Sequence, residues 1–340
     1  NAIRKTSGGD VALRLKATGV ININADITAE TPASAATPTG KLSLEVTSDT
    51  NKTAGGSVSV ASGTSIKTLG GSVKIGGGLV DNGVGFANSQ SAGEAGITLN
   101  GVTIDTRVDP AGAPGTAGGS VEMAGSTTAD AAGVLLAGST IRTGTGKVTL
   151  IGKSSGSNTA LAKGIKIDGG SSITTRTVEL RTDTIDLAGQ ITGDNDPAGY
   201  AKVWTLSDGR AINFGTGTGG LDLAGNTFSG SGKITNFHKN SFGDAGQNAN
   251  ITVGGVTSDS DLELSTGTGT MAVSGTVDVA SGHALTLASK GQVAGTGKIT
   301  TDALRLDAAD AEVSLTGANA VKNVDGKAKK LTLKNSGNLA

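Results

Sequence analysis

Histidine is the side chain best suited to proton transfer near neutral pH, and this chain of 340 residues has two, His238 and His283, and no cysteine. A metal site built from cysteine and histidine therefore lacks its ligands. A serine nucleophile would need one of these two imidazoles beside it. His283 follows a glycine in segment 281–284, which is typical of an exposed corner. The sequence therefore predicts no catalytic role for either histidine.

Carboxylates are the second source of chemistry, and Asp194 and Asp196 flank an asparagine in segment 193–199. Their oxygens suit a hard cation such as Ca²⁺, which takes about six to eight oxygen ligands. The same sequence is typical of a tight turn, in which Asp and Asn bond their own backbone. Asp183 and Asp186 precede the segment and could share a site with it. We expect the turn, retain Asp194 and Asp196 as candidate metal ligands, and expect no cofactor.

Six of the seven aromatic residues lie between positions 200 and 242. An exposed ring offers an apolar face on which a sugar can stack, and Tyr and Trp add a polar tip. The alternative is a locally widened hydrophobic core filled by the same rings. If this stretch contacts carbohydrate, we expect the contact to be made by Tyr200, Trp204, Phe237 and Phe242.

Short β-strands are the elements that must position these residues. Apolar and polar residues alternate in runs such as 11–15, 42–46 and 262–264, and Gly, Asn, Asp and Ser bound the runs. Alternation with a period of two is a strand signal, and no helical periodicity persists. With 56 glycines and 2 % aromatic residues, the core must consist mainly of Val, Ile, Leu and Ala.

Charge and hydropathy exclude several classes of protein. The net charge is −1 with both signs dispersed, which leaves no basic surface for nucleic acid. No apolar run reaches the roughly 20 residues that a membrane-spanning helix needs, so we expect no membrane insertion. The hydrophobic fraction of 36 %, arranged in patterned runs, argues against disorder.

Internal repeats decide the predicted fold. In the first half, a strand, a glycine-containing corner and a second strand recur, and the second strands carry Ile66, Ile104, Ile141 and Ile173. A third strand follows each pair, and loops of variable length leave at about 76–95, 107–118, 124–132 and 152–163. In the second half the unit recurs every 20–22 residues, with first strands beginning at Ile251, Met271, Val293 and Val313.

These repeats predict an all-β fold, a right-handed parallel β-helix (β-solenoid) with about three strands per coil and protruding loops in the N-terminal half. We expect one continuous solenoid over 1–340. Residues 1–192 would form longer coils with loops, 193–250 an irregular aromatic-containing stretch, and 251–340 regular coils of about 20–22 residues. We also expect one inward column formed by Leu262, Leu285, Leu304 and Leu331.

The segments 219–226, 251–256, 313–321 and 331–339 resemble filamentous haemagglutinin-like proteins, and the phrase Leu-Thr-Gly-Ala-Asn-x-Val at 315–321 is the most specific part. The resemblance implies a secreted protein at the surface of a Gram-negative bacterium, exported by two-partner secretion through an outer-membrane transporter. No Asn-Pro pair occurs, so the family's secretion-domain motifs are missing and the chain would be an interior or late fragment.

The resemblance also implies roles in adhesion, aggregation or biofilm. We therefore expect a non-enzymatic structural or adhesive segment, whose partner would be a cell-surface or matrix carbohydrate or a host receptor. The alternative is a β-helix that binds or cleaves polysaccharide. An enzyme would show convergent carboxylates and cations in one groove.

Overall fold

The computed structural model describes residues 1–30, 40–53, 55–113, 115–215, 219–224, 228–229, 232–337 and 339. Within these ranges every regular element is a β-strand, and most strand pairs are parallel. Among the same residues there is no helix of the length and apolarity needed to cross a membrane. The chain forms two compact units, Asn1–Asp196 and Pro197–Ala340. The predicted all-β, parallel, solenoid-like architecture is thus confirmed.

The first unit contains nineteen strands in chain order. They are β1 Ile3–Lys5, β2 Val11–Lys16, β3 Ile21–Ile23, β4 Ile27–Ala29, β5 Leu42–Ser48, β6 Val58–Val60, β7 Ser65–Lys67, β8 Val73–Gly77, β9 Leu79–Asp81, β10 Val84–Ser89, β11 Ile97–Asn100, β12 Thr103–Asp105, β13 Val121–Thr127, β14 Val134–Ala137, β15 Thr140–Ser154, β16 Ile165–Ile167, β17 Ser172–Thr182, β18 Ile185–Leu187 and β19 Gln190–Thr192.

Three parallel ladders organise these strands. One contains β3, β6, β11, β14, β16 and β18. A second contains β1, β4, β7, β12, the first part of β15, the first part of β17 and β19. The third contains β2, β5, β8, β13 and the later parts of β15 and β17. Each pass of the chain visits the three ladders in turn, as the strand triplets predicted.

Aliphatic columns fill the interior between the ladders. The four isoleucines picked out by the repeats pair directly, Ile66 with Ile104, Ile104 with Ile141, and Ile141 with Ile173. All four are fully buried. β-Branched side chains suit such columns because they pack well on a pleated surface. The predicted repeat register is therefore correct in this unit.

Buried threonines close the corner after the second ladder. The hydroxyls of Thr68, Thr106 and Thr143 donate to the carbonyl oxygens of Gly71, Gly119 and Gly146, respectively, at 2.5, 2.5 and 2.9 Å. These glycines are stacked so closely that a Cβ on Gly119 would overlap the carbonyl of Gly71, and one on Gly146 would overlap that of Gly119. The corner needs glycine because the backbones of successive coils touch there.

The extra residues of the first unit lie in loops and in one hairpin, which rejoins the third ladder where Ala87–Ser89 pair in parallel with Gly125–Thr127 of β13. Between β8 and β11, strands β9 and β10 form an antiparallel hairpin in which Asp81 pairs with Val84. The hairpin turn is Asn82-Gly83, and both residues have positive φ, as a two-residue hairpin loop favours. Lys153 Nζ lies 2.7 Å from the Asp81 carboxylate and fixes the hairpin to a later coil.

The second unit contains eleven strands. They are β20 Tyr200–Trp204, β21 Ile212–Phe214, β22 Leu221–Leu223, β23 Ile234–Thr235, β24 Lys239–Asp244, β25 Ile251–Ser258, β26 Asp261–Thr266, β27 Met271–Val279, β28 Ala284–Ser289, β29 Val293–Gly295 and β30 Ile299–Asn335.

Three parallel ladders recur in the second unit. The first ladder runs in the order β21, β25, β27, β29 and β30, and each strand pairs with the next. One column of this ladder contains Ile251, Met271, Val293 and Val313, as predicted. In the second ladder the later part of β25 pairs with the later part of β27, which pairs with the start of β30. The third ladder is β20, β24, β26, β28 and β30.

The predicted leucine column is correct at three of its four positions. Leu262 pairs with Leu285 and Leu285 pairs with Leu304, and all three are buried. Leu331 was wrongly included, because its side chain is 41 % exposed. A Cβ on Gly326 would overlap the Leu306 carbonyl, so the chain at Gly326, and not at Leu331, lies against the backbone of Leu306.

Candidate functional site

The Asp194-Asn195-Asp196 segment forms a turn that holds an arginine. Asp194 Oδ2 lies 3.0 Å from Arg176 Nε, and Asp196 Oδ2 lies 3.0 Å from Arg176 Nη2. The Asp196 amide donates to Asp194 Oδ1 at 3.2 Å, and Asn195 has φ of 55°. Both carboxylates thus pair with Arg176, and the turn expected for this segment is present, while metal binding by Asp194 and Asp196 remains a prediction. Nowhere in the described ranges do three or more His, Asp or Glu side chains group to hold a metal ion.

A cavity of about 200 Å³ lies beside this turn and is lined by Arg107 and Arg142 as well as Asp194. Arg107 Nη2 lies 2.7 Å from the Asp105 carboxylate, and its guanidinium also donates to two loop carbonyls. The hydrogen bonds that Arg107 donates to the Asp105 carboxylate raise the pKa of Arg107 above its ordinary value. Two of the arginines near this cavity, Arg107 and Arg176, are thus neutralised by local carboxylates and fix loops in place.

Within the described ranges, no hydrogen bond joins either imidazole to a serine hydroxyl. His238 is exposed. His283 is half-buried, with Nδ1 3.2 Å from Asp261 Oδ1, and Arg305 approaches the same carboxylate at 3.8 Å. Asp261 therefore orients the imidazole at a corner that was expected to be exposed.

Four phenylalanines of the aromatic stretch lie in the core. Phe214, Phe228 and Phe242 pack edge to face or tilted, with ring centroids 4.5 to 6.1 Å apart, and Phe237 is 2 % exposed. Such pairs add about 0.5–1.5 kcal/mol beyond the burial of their area. Phe237 and Phe242 are therefore removed from the predicted carbohydrate contacts, because buried rings present no face to a ligand.

Tyr200 and Trp204 remain partly exposed at the two ends of β20, on its outward side. Between them Lys202 points outward, with Nζ 4.8 Å from the centroid of the Trp204 ring and 2.5 Å from the Asp244 carboxylate. A cation over an indole face is attracted by the ring quadrupole. Because Lys202 covers part of the indole, carbohydrate binding by Tyr200 and Trp204 remains a prediction.

A groove of the first unit lies on the outer face of the first ladder. Its volume is about 510 Å³. Its floor is a column of outward side chains, one from each successive strand, paired in register: Asn22, Ser59, Thr98, Leu135 and Lys166.

Three loops form the groove wall and are bound to one another. The wall includes Glu94, Asp130 and Leu161. Asp130 Oδ1 accepts a hydrogen bond from the Asn158 amide at 2.8 Å, and the Thr127 hydroxyl donates to the Glu94 carbonyl at 3.2 Å. These bonds connect consecutive loops, so the wall is held in place before any ligand arrives.

Sequence reasoning named the loops but missed the groove floor. The available signal was the middle residue of each first strand, the polar or exposed position between two buried aliphatics, as in Val58-Ser59-Val60. Only the registration of the strands shows that these middle residues form one column. Comparison of the chain with protein-family models, with curated proteins and with solved structures finds no match.

Proposed function

We propose that this chain is a structural and adhesive segment of a large secreted bacterial surface protein, with no catalytic activity of its own. The observation that supports this is the strict pairing of aliphatic columns, such as Ile66 to Ile173 and Leu262 to Leu304. Each coil covers the apolar residues of the next, so stability comes from nearest neighbours alone. A stack of this kind suits a stalk because it can be lengthened without a new type of contact.

The finer architecture belongs to the same proposal. We infer right-handed winding with about three strands per coil, since parallel strands joined by a crossover are right-handed in about 98 % of cases.

The route to the surface follows from the resemblance to filamentous haemagglutinin-like proteins. The chain would be exported by two-partner secretion through an outer-membrane transporter of a Gram-negative bacterium, by way of regions of the parent protein. At the surface it would support attachment, aggregation or biofilm through a carbohydrate or a host receptor.

A localisation experiment tests this proposal. Antibodies against this chain should label intact cells of the source bacterium, and protease added outside should remove the label. Deletion of the transporter gene should abolish labelling while the protein stays detectable in lysed cells. Labelling that appears only after lysis in wild-type cells would contradict the proposal.

A further inference from the structure

The groove over the first ladder has features of a binding site. The side chains of Asn22, Ser59 and Thr98 form no hydrogen bond with any described residue, although Ser59 and Thr98 are only partly exposed. They lie on adjacent strands in register, so their hydroxyl and amide groups point into the groove in a single file. Polar groups that line a groove and have no protein partner are free to bond a ligand that supplies hydrogen bonds.

The direction and spacing of this file indicate the form of the ligand. The polar groups follow the stacking direction, with one strand spacing of about 4.8 Å between neighbours. An extended peptide places side chains of the same face about 6.6–6.8 Å apart, so it would lose register after one or two coils. One sugar unit of an extended glycan is close in length to one strand spacing. The floor therefore fits a linear glycan that lies across the strands.

A peptide also lacks its usual way of binding a sheet. Peptides that add to a β-structure pair with the backbone of an edge strand. The floor strands β6, β11 and β14 already pair on both sides within their ladder. Recognition must therefore use side chains, which suits the many hydroxyls of a sugar.

The charges and apolar side chains that line the groove favour a neutral glycan over an acidic one. Two carboxylates, Glu94 and Asp130, line the wall, whereas the floor's Lys166 lies 3.4 Å from Asp186 of the next strand. Among the described residues that line the groove, the one cation is therefore paired, which leaves little attraction for an acidic polysaccharide. Leu135 on the floor and Leu161, which is 50 % exposed on the wall, offer apolar contacts for sugar ring faces.

We propose that this groove binds a linear, neutral glycan along the stacking direction, with Ser59, Thr98 and Glu94 as hydrogen-bonding residues. The inference deepens the adhesive part of the proposed function, and it does not rest on the export route. Binding by the purified chain can therefore fail while surface localisation holds, or hold while localisation fails.

Titration of the purified chain with a panel of oligosaccharides tests the proposal. The panel contains β-linked glucose oligomers of two linkages, a β-linked N-acetylglucosamine oligomer, a β-linked mannose oligomer and an oligogalacturonate. At least one neutral oligomer should bind. The double variant Thr98→Val/Glu94→Gln should weaken that binding at least tenfold, because it removes one hydroxyl and one charged acceptor without changing side-chain size.

The matched control is Thr149→Val, which removes an outward hydroxyl from β15 on a different ladder and should leave binding unchanged. Thermal unfolding of each variant checks that the fold is retained. Hydrogen exchange in saturating glycan should show protection at 93–98 and 130–135. Absence of binding by every neutral oligomer, binding of the oligogalacturonate alone, or equal binding by the folded double variant would overturn the proposal.

Discussion

The coils of the first unit and those after Ile251 use very different lengths of chain to make the same layer. Ile104 and Ile141 are direct neighbours in a ladder although 37 residues separate them, whereas Met271 and Val293 are neighbours across 22. The additional residues lie in loops and in the β9–β10 hairpin, whose second strand rejoins the third ladder at Ala87–Ser89. The aliphatic interior of a layer is therefore independent of the length of chain between layers.

The comparison shows which parts of each region are constrained. Corners of the first unit are closed by specific side-chain hydrogen bonds. One is donated by the Thr106 hydroxyl to the carbonyl of Gly119, at the other end of a loop. In the second unit the same device spans two residues, from Thr301 to the carbonyl of Ala303 at 3.0 Å. Four experiments test this difference between the two regions.

The largest effect is expected in the columns, which the two regions share. Replacing Leu285 by Asp should lower the free energy of unfolding by about 3–5 kcal/mol, because an unpaired charge would be buried between Leu262 and Leu304. Denaturant unfolding measures the change. Thr286→Asp, on the outward side of the same strand, is the control and should cost far less. Equal losses would show that the column does not carry the stability.

The second effect separates the two kinds of corner. Thr106→Val keeps the shape of the side chain but leaves the Gly119 carbonyl without its donor, which should cost about 1–3 kcal/mol. Hydrogen exchange should also rise across the loop 107–118, since that hydroxyl closes it. Thr301→Val closes only a two-residue corner and should raise exchange locally. A rise confined to Thr106 itself would refute the idea that the hydroxyl closes the loop.

A third, smaller effect tests whether loop length matters at all. Replacing Val80–Gly85 by Asn-Gly shortens the β9–β10 hairpin while keeping Leu79 opposite Phe86. Each doubling of loop length costs only about 0.6 kcal/mol, and the lost ion pair between Lys153 and Asp81 is worth about 0–1 kcal/mol. The midpoint of thermal unfolding should therefore shift by only a few degrees.

Deleting one residue from a ladder strand is the matching control. Removal of Thr98 from β11 would turn every later side chain of that strand to the opposite face. This deletion should destabilise the protein severely, although it removes fewer residues than the hairpin change. A severe loss from the hairpin change would contradict the independence of layers and loops.

The smallest effect concerns an exposed carboxylate of the regular coils. A hydrogen bond from Lys322, with others from Gly282 and Ser281, lowers the pKa of Asp302 to about 2. Its usual pKa in an unfolded chain is about 3.9, so the stabilisation is present above about pH 4 and is lost as the pH falls towards 2. The difference in melting temperature between wild type and Asp302→Asn should shrink over that interval. A difference that stays constant from pH 6 to pH 2 would exclude this linkage.

The ladders could be predicted from sequence because strand alternation and glycine corners are local signals. The sequence alignment placed four unequally spaced isoleucines correctly, because each lies in the second strand of the same strand–corner–strand repeat. They are Ile66, Ile104, Ile141 and Ile173. Leu331 was misplaced because Leu331-Thr-Leu333 has the alternation of a buried strand. Alternation of apolar and polar residues indicates that a segment is extended, but it does not indicate which earlier strand pairs with that segment.

The functional surfaces were harder to predict because burial and shielding depend on residues distant in sequence. Phe237 and Tyr200 belong to one aromatic-rich stretch, yet the first is buried and the second is partly exposed. The local sequence of Asp194 and Asp196 is that of candidate cation ligands, and it does not indicate that both carboxylates pair with Arg176, which lies 18 residues before Asp194. The groove wall depends on the bond between Asn158 and Asp130, which no local pattern indicates.

The one-to-one pairing of coils has a consequence for how such a gene can change. A tandem duplication of codons 271–292 would insert a second copy of the layer that begins at Met271. The copy would lie between the first copy and the layer that begins at Val293, which is now the neighbour of Met271. The first copy would keep its contact with Ile251 and the second copy its contact with Val293, and the single new interface would stack the layer on its own duplicate, with Met271 on Met271. Recombination between repeats can therefore lengthen or shorten the protein by whole layers at the cost of one new interface of like side chains.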